Sequence, residues 1–247
     1  MSYGIFAFYY DRLTENIDYK ARAEYFNQII RQYITVTPQT ILLDLACGTG
    51  SLTVELAKLG YDMIGVDASE DMLSEAMSKS CMTKKILYLC QDFTHLDLYG
   101  TIDAAVCALD SINHMTDLAQ VKKTFSLVSL FTLPGGVFVF DVNTEYKQRV
   151  VLGENAYVYD LEDVYCVWQN RWNEKSLTTQ IDLDFFIPQG KLYSRQQESF
   201  SERVYTHEEL CCALEEARFE LLAVYEGDTF SPLKKTSQRA VYVARRK

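Results

Sequence analysis

The sequence predicts an α/β protein: a doubly wound, mostly parallel seven-stranded sheet with an antiparallel edge hairpin and an inserted antiparallel β meander. Three patterns predict it. Between Thr40 and Asn143, five short apolar runs alternate with helical stretches, the signature of strands joined by crossover helices. Two more apolar runs close the chain with no helical pattern between them. Between residues 150 and 205 apolar and polar residues alternate, with turn chemistry at "NEKS" and "PQGK".

In chain order, "YYDRLTENIDYKARAEYFNQIIRQYI" has helical periodicity and is expected to lie over the strand ends as a cap formed by residues 1–35. "TILLDLA" is the first strand, residues 49–59 a helix stopped by Gly60, and "YDMIGVD" the second strand. The next helix begins at Ser69, with Glu70 and Asp71 in its first turn, where negative charge suits the helix dipole. "KILYLCQD" and "DAAVCALD" are the third and fourth strands, and a helix over residues 118–131 is broken by "LPGG" before the fifth, "VFVFDV". Residues 157–172, 178–187 and 191–205 are the three runs of the meander. A helix starts at "THEEL", where Thr206 and Glu209 have capping-box spacing, and "FELLAVYEG" with "RAVYVARRK" forms the edge hairpin. The expected division is the cap, a main domain of residues 36–149 and 206–247, and a substrate-side lid of residues 150–205.

Composition bounds the function. Hydrophobic residues make up 48% and charged residues 23%, ordinary for a globular chain and unlike a disordered or fibrous one. No apolar run approaches the roughly 20 residues of a membrane helix, and the start "MSYGIFAFYYDR" lacks the basic region of a secretory signal, so a cytoplasmic protein is expected. The seven cysteines (47, 81, 90, 107, 166, 211, 212) show no CxxC or disulfide framework and are expected to be reduced and mostly buried. With only His95, His114 and His207, and no HxH or HExxH, no metal site is expected. A net charge of -10 disfavours a nucleic-acid partner, although a local basic patch can sit inside an acidic total.

Each of the five strands ends near a carboxylate: Asp44, Asp67, Asp92, Asp110 and Asp141. Any one of them reads as a helix cap as readily as a ligand group, but the crevice of an open α/β sheet lies where all five meet. The turn in "ILLDLACGTG" supplies close backbone approach at a helix N-terminus. A phosphate-binding GxxxxGK[ST] loop is excluded, because no lysine follows Gly50. A dinucleotide GxGxxG loop lacks its third glycine, since Ser51 stands three beyond Gly48. The remaining order, Asp-x-Ala-x-Gly-x-Gly, places a carboxylate where it can accept from a cationic amine.

"LLDLACGTG", "GVDAS" and "LCQDF" together resemble the class I S-adenosylmethionine-dependent methyltransferases, over residues 40–145 or so. "YDRLTENIDYKARAEYF", "LDSINH" and "LPGGVFVFDVN" are similar to a group of small bacterial methyltransferases. The resemblance implies a Rossmann-like methyltransferase fold with S-adenosyl-L-methionine as cofactor. It places Asp44 and the backbone of Ala46, Cys47, Gly48, Thr49 and Gly50 around the methionine portion, and Asp67 on the ribose hydroxyls beside Ala68. It places Met72 on adenine, Asp92 on the adenine amino group with Gln91 and Phe93 beside it, and Leu109 with Asp110 facing the methyl. Tyr10 and Tyr19 resemble tyrosines that reach the cofactor carboxylate, with plain helix packing as the alternative. Ala46 departs from the more usual glycine by one methyl.

Methyl transfer is an in-line displacement in which the protein mainly aligns the nucleophile. A neutral amine attacks without a base, whereas a hydroxyl needs proton removal, so Asp110, Asn113 and His114 are the catalytic candidates. His114 also reads as a packed histidine. No [DNS]PP[YFW] run and no Pro-Cys pair of the base-modifying enzymes is present. An oxygen cluster of Asp110, Asp141 and Asn143 for Mg²⁺ departs from the adjacent Asp-Asn of catechol-type enzymes. Trp168, Trp172, Phe185 and Phe186 line an acceptor pocket or form core. The expected function is methyl transfer to an O or N atom of a small molecule. The alternatives are an RNA or protein methyltransferase, resting on "KKTSQR" and "ARRK", and, from another class, a nucleotide-binding oxidoreductase or a non-catalytic cofactor-binding module.

Overall fold

The computed structural model describes residues 4–80 and 86–247. Strands β1 (Ile41–Leu45), β2 (Asp62–Asp67), β3 (Leu87–Cys90), β4 (Ile102–Cys107) and β5 (Thr132–Asn143) run parallel in the spatial order β3-β2-β1-β4-β5. The chain then leaves the sheet through a π-helical turn, Tyr146–Leu152. It builds a second, antiparallel sheet from β6 (Ala156–Leu161), β7 (Val164–Asn173), β8 (Thr178–Gln189) and β9 (Leu192–Arg203). On returning it adds β10 (Phe219–Glu226) at the edge of the first sheet and threads β11 (Arg239–Arg246) between β10 and β5, antiparallel to both.

Successive residues of a strand face opposite ways, so each central strand feeds two cores. Leu42, Val137, Val139 and Val241 pack against α2 (Tyr19–Arg31) and α3 (Ser51–Lys58), which follow α1 (Gly4–Leu13) in the chain. Leu43, Phe138, Phe140 and Tyr242 face the other way. They pack against α5 (Leu118–Phe131) and α6 (His207–Glu216), while α4 (Glu70–Ser80) covers the β2–β3 side. The predicted capping box at Thr206 and Glu209 is formed.

Several elements differ from expectation for local reasons. The expected cap is two helices: α2 lies on the sheet face through Ala23, Phe26, Ile29 and Ile30. Its first turn touches the strand ends through Tyr19 and Arg22, and α1 lies across them. There Phe6, Tyr9 and Leu13 pack between Met72 of α4 and the inner face of the second sheet, Leu183, Phe185 and Phe200. The meander has four strands, because Glu162 and Asp163 turn the chain inside what reads as one run. "LPGG" does not precede the fifth strand but lies within it, where the β4 register shifts between Ile102 and Ala104. A Cβ on Gly136 would stand 2.6 Å from the Asp103 carbonyl oxygen, so glycine permits that close approach.

Of the four aromatics, Phe185 is core, stacked on Tyr9 at 5.9 Å, and Phe186 faces the opposite side against Tyr165. The Trp172 indole donates to Glu174, and Trp168 stands edge-on to Phe6 at 6.0 Å. The six described cysteines are free thiols, but only Cys107 and Cys166 among them are buried; Cys81 lies outside the described residues. Among the described residues no helix is long and apolar enough to cross a membrane.

Candidate active site

Beyond β1 the chain turns through left-handed backbone at Ala46 (φ 58°), Gly48 (φ 53°) and Gly50 (φ 70°), which curls the turn around the mouth of the crevice. The two glycines have different reasons. A Cβ on Gly48 would meet no protein atom within 4 Å. The same atom on Gly50 would stand 2.7 Å from Ala76 Cβ and from Tyr88 Oη, so Gly50 seats the turn on α4 and β3. Gly50→Ala is therefore expected to lose about 2–3 kcal/mol of stability through overpacking and the positive φ. The folded fraction should keep its cofactor affinity. Melting curves and calorimetry on one sample check this, and lost affinity at unchanged melting temperature would contradict the assignment.

A continuous cleft runs from Asp92 and Phe93, past Asp67, Ala68 and Met72, to Gly48, Ala46 and Leu109. It continues past Cys47 and Thr49 to Asp44, Tyr10 and Tyr19. Asp67 accepts from the Gly48 amide at 2.8 Å and the Ser69 amide at 2.9 Å, while burial pushes its carboxyl above the ordinary range. Asp44 is buried, accepts from the Thr53 hydroxyl at 2.6 Å, and is pushed up to about 7 by burial. Helix α1 roofs the cleft with Phe6 and Tyr10. Asp11 fastens that roof to the glycine turn, accepting from Thr49 Oγ1 at 2.7 Å and Ser51 Oγ at 3.2 Å and pairing with Lys79.

At the end of β4, Leu109 and Asp110 both have φ 57°, a left-handed pair of non-glycine residues that costs energy unless its surroundings hold it. The fully buried Asp141 holds it, accepting from the Leu109 amide at 3.0 Å and the Asp110 amide at 2.8 Å. The same carboxylate pairs with Arg22 at 2.9 Å and with Arg239, which also pairs with Asp110 at 2.8 Å. Burial opposes ionisation of Asp110, but Arg239 outweighs it and holds that carboxyl far below the usual range. So strongly ionised a carboxyl is a weak base, which favours positioning over proton acceptance for Asp110. Asn113 is likewise structural: fully buried, it accepts from the Asn143 amide at 2.8 Å and donates to the Arg203 carbonyl at 2.8 Å. Gln91 also departs from expectation, its side-chain amide bonded in both directions to the Asp97 backbone at 3.0 Å and so closing a loop rather than lining the cleft.

His114 of the three catalytic candidates does line the cleft, beside Leu109 and Ser111. Its ring stacks on Phe200 at 5.1 Å, and its Nε2 stands 3.8 Å from Oε1 of Glu202 on β9. Ligand atoms of Asp110, His114 and Glu202 lie within 4.8 Å of one another, yet Arg239 occupies Asp110, while Asn143 and Gln148 donate to Glu202. The Asp110, Asp141 and Asn143 cluster is spoken for in the same way, by Arg22, Arg239 and Lys147.

Phe6, Asp11, Ser111, Glu202 and Arg239 are the site residues that the sequence reading missed. Phe6 stands one helical turn before Tyr10, a spacing that could have found it. Arg239 meets Asp110 across a separation of 129 residues, with no local signal.

A family model for the methyltransferase domain matches residues 42–136. The putative methyltransferase YqeM of Bacillus subtilis (strain 168) is 30% identical over 100% of this chain and 98% of its own. The chain belongs to the class I S-adenosylmethionine-dependent methyltransferases. A second member, an S-adenosylmethionine-dependent methyltransferase from Clostridium acetobutylicum ATCC 824, has a crystal structure that covers 99% of this chain and 98% of that one, with a TM-score of 0.87 and 32% identity. The glycine/sarcosine N-methyltransferase of Halorhodospira halochloris is 30% identical over 53% of this chain and 50% of its own length. This methyltransferase therefore takes S-adenosylmethionine as its cofactor, and the oxidoreductase and non-catalytic alternatives fall away. The cleft suits that group: Gly48 leaves the backbone approachable, and carboxylates stand at the ends of β1, β2 and β3.

Proposed function

We propose that this methyltransferase acts on a small-molecule acceptor, at nitrogen in preference to oxygen. The observation that carries the reading is the wall beyond Leu109. His114 lines it, with Glu202 3.8 Å from the imidazole, so the wall offers an acceptor for an N–H group backed by a carboxylate. The roof of α1 and the second sheet over this wall favours a small acceptor. The Halorhodospira relative, named for amine substrates, supports the same choice.

When bound, the cofactor supplies a methyl group on a sulfonium, electrophilic enough to need no activation by the protein. Asp67 would hold the ribose hydroxyls, Asp44 the ammonium, Met72 and Phe93 the adenine, and Tyr10 and Tyr19 the carboxylate. His114 faces the acceptor.

The RNA or protein alternative has little surface to stand on. Within "KKTSQR", Arg239 is inside the molecule between Asp110 and Asp141, and Lys234 pairs with Glu226. Arg245 of "ARRK" pairs with Glu220 and lies opposite Val137, at the end of the sheet away from the cleft. The free thiols fit a reducing, cytoplasmic setting.

Turnover of a labelled methyl donor against pools of amines, hydroxylated metabolites, RNA and polypeptides tests the acceptor class. Product from RNA or polypeptide alone would overturn the reading, and product from hydroxyl compounds alone would remove the preference for nitrogen.

The Asp44 assignment makes a separate prediction. An ordinary aspartate titrates at 3.8 and Asp44 at about 7, so between those values the folded chain keeps a proton that the unfolded chain has lost. Ligand-free stability should fall as pH rises through that window, and Asp44→Asn should flatten the slope. Cofactor affinity should rise from pH 6 to 8 as Asp44 ionises to meet the ammonium. A flat affinity profile by calorimetry would take Asp44 out of the ligand's first contacts.

A further inference from the structure

We propose that Glu202, carried into the site by β9 of the second sheet, is a positioning residue that orients His114 to take the proton from the acceptor nitrogen. This rests on the amine reading above.

Phe200 and Glu202 lie two residues apart on one face of β9, and together they fix the imidazole. Phe200 stacks on its plane at 5.1 Å, and Glu202 Oε1 meets its Nε2 at 3.8 Å. That separation tightens to a hydrogen bond with a shift of under about 1 Å, as pairs in ligand-free sites commonly do on closure. The other carboxylate oxygen is fixed by donors from the first sheet's side: Asn143 Nδ2 at 3.3 Å and Gln148 Nε2. Among the described residues His114 is the one basic group against Oε1. A buried carboxylate is costly unless a cation or proton meets it. An imidazolium at His114 would meet it.

The surrounding charges agree with this role. Burial and then Asp110 push the Glu202 carboxyl up, while His114, Gln148 and Lys147 pull it down. Arg239 stands behind Asp110, and Asp67 faces His114 from the cofactor side. Asp110 also faces His114, but its carboxylate is held by Arg239.

The step balances without any further reactant. An acceptor arriving as an ammonium gives one proton to His114 and keeps the nitrogen lone pair. That pair forms the new C–N bond as the C–S pair leaves with sulfur, turning the sulfonium into a neutral thioether. The imidazolium, stabilised by Glu202, later returns its proton to solvent.

The chain has three histidines, so ring ¹H–¹³C spectra of the whole protein with S-adenosylhomocysteine are readily assigned using His114→Gln. Glu202→Gln keeps an oxygen to accept from Asn143 and Gln148 and should fold. In it the His114 ring is expected to lose the tautomer that a carboxylate at Nε2 fixes, with the rings of His95 and His207 unchanged. With any amine that turns over, kcat should drop about 100-fold at unchanged KM for S-adenosylmethionine, and the acidic limb of its pH profile should move. Glu202→Asp should recover part of the rate. An unchanged His114 tautomer in folded Glu202→Gln, or an undiminished kcat, would overturn the proposal. So would stabilisation by Mg²⁺ or Zn²⁺ that disappears in both variants, which would make this a metal site. A changed His114 tautomer with no amine turned over would sustain the pairing while failing the amine reading, so the two failures are distinct.

Discussion

Gly48→Val is expected to abolish measurable S-adenosylmethionine binding, a loss of at least about 100-fold, while leaving most of the fold intact. The space beside Gly48 is empty of protein, so a valine side chain there strikes no neighbour and instead fills the cleft. The residue also has φ 53°, and a β-branched side chain in the left-handed region costs roughly 1–2 kcal/mol. The Gly48 amide donates to Asp67, so the strain acts on the carboxylate assigned to the ribose. Calorimetry should find no binding, and melting should find a fall of only a few degrees, at about 2–4 °C per kcal/mol for a chain of this size. Near-parental affinity would mean that the glycine turn does not touch the cofactor. Gly50→Ala is the internal control, because its damage is to packing.

Asp141→Ala should be the most destabilising single change in the site. It would leave Arg22 with Asp228 and Arg239 with Asp110 as their remaining carboxylates, and would leave the Leu109 and Asp110 amides unmet. Breaking a buried pair from one side costs about 3–5 kcal/mol, and the unmet amides add to it, so the melting temperature should fall by about 10 °C or more. Replacing an exposed pair such as Lys58 and Glu55 should change it by under about 1 kcal/mol. A drop of less than about 3 °C for Asp141→Ala would show that the left-handed turn at Leu109 and Asp110 is held by something else.

Physical reasons separate what could be read in the sequence from what could not. The parallel strands were legible because burial on both faces writes unbroken apolar runs, and the crossover helices because 3.6-residue periodicity repeats between them. The lining of the cleft along β1, β2 and β3 was legible because the chain supplies it locally, from one turn and three strand ends. Asp110, Asn113 and His114, adjacent in sequence, looked like one catalytic group. The fold sends them three ways: Asp110 to Arg239, Asn113 to the backbone of β5 and β9, and His114 to the cleft. No local pattern could have said so, because every one of those partners comes from a distant element. The hidden turn at Glu162 and Asp163 escaped notice because alternation continues across it, with neither glycine nor proline to interrupt the pattern.

Strand β11 does not extend the sheet at its margin but fills a slot between β5 and β10, and its first residue, Arg239, supplies the charge that Asp110 and Asp141 require. During synthesis on the ribosome the end of the crevice beside Asp110 and Asp141 therefore stays unbuilt until residues beyond 238 have emerged. A nascent chain paused before that point would hold two carboxylates against one arginine, with a gap where a central strand belongs. Its earlier strands can pair as they appear, but competence waits until residues 239–246 slide between β5 and β10.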